Sequence, residues 1–65
     1  MHWPQPDGTS ISCREKLRVL EENHAELQDI LRDVFEDAVL MGVDEAAIRR
    51  ILVAMVEQLK SPKPA

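Results

Sequence analysis

From Leu17 to Met41 apolar residues recur at alternating spacings of three and four: Leu17, Leu20, Leu27, Leu31, Val34, Ala38 and Met41. His24 holds the one polar place in that row. Such spacing is a heptad on a long helix, with Leu17, His24, Leu31 and Ala38 at a and the others at d. Up to Leu27 the stripe is confined to a and d; beyond it Ile30, Phe35, Val39 and Leu40 widen it, so that more than one neighbour can pack there. A second apolar face, Ala47, Ile48, Ile51, Leu52, Met55, Val56 and Leu59, follows at helical spacing.

The ends of both elements carry stop and start signals. Ser12 and Glu15 have the spacing of a capping box, in which hydroxyl and carboxylate each accept from the other residue's amide. Gly42 suits a left-handed helix end, Asp44 suits an N-cap, and Val43 with Ile48 has the spacing of a hydrophobic staple. Pro62 closes the second helix. The expected fold is all-α: an antiparallel two-helix hairpin, about 13–41 and 45–60, in a domain covering 12–60. At 1.5 Å per residue the first helix spans roughly 44 Å and the second roughly 25 Å, so the early part of the first overhangs. The first eleven residues, MHWPQPDGTSI, are rich in proline and small polar residues and read as a disordered arm; residues 61–65, SPKPA, read as a Pro-rich tail. Trp3 is read there as an unremarkable terminal residue, with anchoring in a partner's pocket as the sharper alternative.

Length changes the picture. A chain of 65 residues buries too little apolar surface to be comfortable alone, and its one cysteine and two histidines supply neither a disulfide nor a structural zinc site. Self-association is left as the source of additional core. The overhang predicts a homodimer, a four-helix bundle or coiled-coil-like assembly whose seam is Leu17, Leu20, His24, Leu27, Leu31 and Val34. No segment is apolar for long enough to span a bilayer and no leader pattern is present, so a cytoplasmic location is expected.

Charge then narrows the partners. A formal net charge of -4 disfavours a phosphate backbone. Between Val19 and Leu40 seven carboxylates stand against the single cation Arg32. Of these, Glu22, Glu26, Asp29, Asp33, Glu36 and Asp37 are the candidate docking residues for a protein with a basic or apolar surface; a solvated helix face is the plainer account. Acid and base chemistry by paired carboxylates requires a desolvated cleft, which a two-helix chain does not offer. Glu45 stands four residues before Arg49 for a helix ion pair. Cys13 at a helix start invites reactivity, but its d position favours packing as a small hydrophobe. For His24 the functional reading is a pH switch formed with its symmetry mate, and the plainer one, preferred here, is a polar residue that fixes the register of the seam.

One pattern resembles a known family. Leu20, Glu21 and Glu22; Asp33, Val34 and Phe35; Ala38; Gly42, Val43 and Asp44; and Ile48, Arg49, Arg50, Ile51 and Leu52 follow the hairpin of the GapR-like nucleoid-associated proteins at nearly the same spacing. The resemblance covers residues 20–52 and implies an oligomeric helical hairpin, and with it DNA binding. It departs at His24 and Ala25, where the family carries lysines, and at Ala65, where the family continues into a further helix. The reading is therefore a non-enzymatic, acidic, dimeric interaction protein of the adaptor or antiactivator type. No catalytic, cofactor-binding or metal-binding residues are assigned. The alternative is a GapR-like DNA-binding architectural protein.

Overall fold

The computed structural model describes residues 1–64. Among them stand two helices, α1 (Arg14–Leu40) and α2 (Glu45–Glu57), and no strand; an isolated antiparallel bridge joins Pro4 to Ser10. The fold is all-helical, as the periodicity requires, and consistent with a helical hairpin. Two compact units divide it, one comprising Met1–Leu31 and the other beginning at Arg32.

The joint between the helices follows its local signals. The Met41 amide donates to Asp37, the Gly42 amide to Val39 at 3.0 Å and the Val43 amide to Ala38 at 2.9 Å, with Gly42 at φ 101°. This is a Schellman ending, and the positive φ explains glycine at that place. Asp44 then caps α2: its carboxylate accepts from the Ala47 amide at 2.9 Å, and its carbonyl from the Ile48 amide. Ile48, at the N4 position, is buried at 7% exposure, the one fully buried apolar residue among those described. The covered side of the unit comprises Phe35, Ala38 and Val39 on α1 and Ala47, Ile48 and Leu52 on α2. Arg49 does not pair with Glu45; its guanidinium lies 4.7 Å above the Phe35 ring centroid, an attraction worth about 0.5–1 kcal/mol at a solvated site.

Two boundaries and the arm differ from expectation. The first helix begins at Arg14, because Cys13 and not Ser12 takes the capping place: its carbonyl accepts from Leu17 at 2.9 Å. The second ends at Glu57, where the Gln58 amide reaches Ala54 and Val56 and the Leu59 amide bonds Val56, a tightened last turn that leaves Leu59 and Lys60 outside the helix. In the tail, Ser61 accepts from the Lys63 amide at 3.1 Å, and residue 65 lies outside the described residues.

The third difference is the arm, for which no fold was expected. Residues 3–11 form a tight turn: the Gln5 amide donates to Thr9 at 2.7 Å, the Gly8 amide to Gln5 at 2.8 Å and the Ile11 amide to Trp3 at 2.8 Å. Pro6 presets the turn, Gly8 takes φ 89°, and the Asp7 carboxylate accepts from both the amide (3.0 Å) and the hydroxyl (2.7 Å) of Thr9. The Thr9 hydroxyl and then the Thr9 amide hold the Asp7 carboxyl below its ordinary value of 3.8. The signal was present in the sequence as Gln5-Pro6-Asp7-Gly8-Thr9, a proline, aspartate and glycine in the order that a turn followed by a left-handed glycine demands.

Candidate interaction surface

The structure separates the six expected seam residues into two groups. Leu17, Leu20 and His24 are half-buried, whereas Leu27, Leu31 and Val34 are exposed at 53%, 39% and 42%. At His24 the arm supplies the cover. Trp3 and Ile11 are half-buried in the same unit, and the Trp3 indole meets the His24 imidazole edge to face, centroids 6.0 Å apart at 82°. Trp3 therefore does not dangle: its own chain supplies the surface it meets. His24, expected at a seam between chains, is covered here by its own terminus. The contact has a flaw, since the Trp3 Nε1–H is buried and finds no acceptor among the described residues. Leaving such a donor unpaired costs about 1–3 kcal/mol.

On the first turns of α1 Glu15, Lys16, Val19 and Leu20 line a shallow, open groove of about 400 Å³. Its floor is apolar and none of the six docking carboxylates lines it. Those six, Glu22, Glu26, Asp29, Asp33, Glu36 and Asp37, are all exposed along α1. Glu36 lies 4.0 Å from Arg32 one helical turn away, and Glu15 pairs with Arg18 at 3.2 Å. Both are solvated pairs of the kind worth a few tenths of a kcal/mol. The acidic surface is thus a charged face of α1 in water.

Cys13 is exposed, which removes packing within the chain as its explanation. The amides of Lys16 and then Glu15 point at its sulfur, and with a smaller contribution from the Lys16 charge they draw the thiol below an ordinary cysteine. Of the apolar residues beyond the seam, Leu40 and Val53 are exposed, at 85% and 54%, whereas Val39 is half-buried. Ile51, Met55 and Val56 of α2 are exposed as well, so α2 covers only part of its apolar face.

Among the described residues no group of three His, Cys, Asp or Glu is placed to hold a metal ion, and no helix is long and apolar enough to cross a membrane. No protein-family model, curated protein or solved structure matches the chain.

Proposed function

We propose that this chain is a non-catalytic interaction protein, a homodimeric helical hairpin whose acidic α1 face docks a basic or apolar surface of another protein and modulates it. One observation carries the reading: the apolar surface remains largely uncovered. Leu27, Leu31 and Val34, at heptad spacing on α1, stay exposed at 53%, 39% and 42%, and Ile51, Met55 and Val56 of α2 are exposed as well. A heptad stripe is satisfied by another heptad stripe, so a second copy is the economical cover. Arrayed carboxylates on the solvated side then supply charge complementarity toward the regulated partner.

Sedimentation equilibrium tests the self-association. A dimer is expected, and Leu31→Asp is expected to give a monomer that keeps its helical circular dichroism; a wild-type monomer at several hundred micromolar removes the homodimer. The docking face is tested by Asp33→Lys with Glu36→Lys, which should abolish capture of the protein partner from nuclease-treated cytosol. Retardation of duplex DNA at physiological salt, with a steep salt slope, would favour the GapR-like architectural alternative instead.

A further inference from the structure

The arm covers the part of α1 that the heptad assigns to a partner helix. Within the unit Met1–Leu31, the Trp3 indole lies edge to face on His24, and Leu17 and Leu20 are half-buried, while Leu27 and Leu31, the next positions of the same a and d row, remain open. Packed helices approach to 8–10 Å between axes, a separation their own side chains fill, so an indole and a partner helix cannot occupy one stretch of seam together. We propose that the arm is a removable cap on the dimer seam, displaced when a second copy of this chain pairs with α1. This rests on the homodimer reading above and adds to it a competitor within the chain.

Charge and register identify the second copy and its direction. Arg14, Lys16 and Arg18 cluster at the start of α1, and the carboxylates from Glu21 to Asp37 follow. An antiparallel pair of α1 helices sets the basic start of each against the acidic stretch of the other. In that arrangement a positions face d positions, so Leu20 meets Leu31 of the second copy and His24 meets Leu27 of the second copy. His24, which the arm now covers, thus finds a partner among the positions that the arm leaves open.

The docked arm is built to let go. Its turn is short and its flanking residues are exposed, features of a segment at the low-stability end of a structure. Its anchor buries an indole N–H without an acceptor, so docking realises less than the Trp3 contact area offers. The competition reduces the apparent dimer affinity by the fraction of chains whose seam is uncovered, and removing the cap restores it.

Trp3 is the sole tryptophan, so its emission reports the arm in the unmodified chain. Dimer formation should shift that emission to the red and raise its quenching by acrylamide, both in step with the dimer fraction from sedimentation. Trp3→Ala should dimerise about tenfold more tightly while keeping its helical circular dichroism. If the wild type dimerises with Trp3 still shielded, or if Trp3→Ala dimerises equally or more weakly, the cap is wrong and the homodimer stands. If both chains stay monomeric into the millimolar range, the homodimer falls and the cap with it. The native thiol tests direction: Cys13 residues at opposite ends of an antiparallel pair are roughly 37 Å apart and should not crosslink on mild oxidation of the dimer. A Cys13–Cys13 disulfide would overturn the antiparallel seating.

Discussion

The unit that begins at Arg32 and the unit that ends at Leu31 solve the same problem, covering one side of α1, by different means. In the first, α2 does the covering: a glycine ends one helix, an aspartate caps the next, and the chain returns with Ile48 buried and Arg49 over Phe35. In the second, an irregular arm does it with a single aromatic contact, Trp3 on His24, between residues 21 positions apart. Regular structure satisfies its backbone internally and can afford full burial. The arm supplies only a few turn hydrogen bonds, and its anchor keeps an unpaired donor. Cover of the first kind should be durable, and cover of the second kind exchangeable.

The largest test of that contrast is Ile48→Ala. Removing the buried side chain should lower stability by about 2–4 kcal/mol, read by urea unfolding at fixed protein concentration. Trp3 emission before the transition should be unchanged; a shift there would mean the two covers are not separate. A matched pair of substitutions comes next. Gly42→Ala and Gly8→Ala both place a Cβ at positive φ, 101° and 89°, with nothing within 4 Å of it, so each acts through the backbone alone. The first should cost about 1–2 kcal/mol in the helical transition, whereas the second should leave that transition in place and expose Trp3 to acrylamide. Equal effects on both readouts would erase the distinction. Asp44→Ala removes the cap of α2 and should cost about 1 kcal/mol, with Asp44→Ser recovering most of it.

The smallest expected effect is one of pH. Asp7 is held below its ordinary 3.8 by the Thr9 hydroxyl and amide, so the folded turn favours the carboxylate. Its contribution is fully present above that value and is lost as pH falls through the lowered folded value. Trp3 emission should therefore move to the red as the solution is acidified below 3.8, and Asp7→Asn should flatten that response. A mutant profile identical to the wild type would mean that the arm loosens through other groups.

How much of this was legible in the sequence differs between the two units for the same reason. The glycine at 42, the cap at Asp44 and the burial of Ile48 each depend on residues within one or two turns, and all were readable from spacing. The choice of Cys13 over Ser12 as the first cap was not, because two residues capable of the place stood side by side. The turn of the arm was written in Gln5 to Thr9, yet its docking was not, since nothing local tells a tryptophan which helix face to meet. Arg49 illustrates the same limit on a smaller scale: Glu45 has the right spacing, but Phe35 on the other helix offers the ring that takes the guanidinium.

The sequence by itself determined two helices, the joint between them and a surplus of apolar surface at heptad spacing, because helix period, capping and turn chemistry act over a few residues. Only the tertiary structure decided how that surface is shared: Phe35, Ala38 and Val39 covered, Leu27, Leu31 and Val34 open, Leu17 and Leu20 half-buried, and His24 under the chain's own arm. Burial is a property of what arrives on a face from elsewhere, and for His24 what arrives is Trp3.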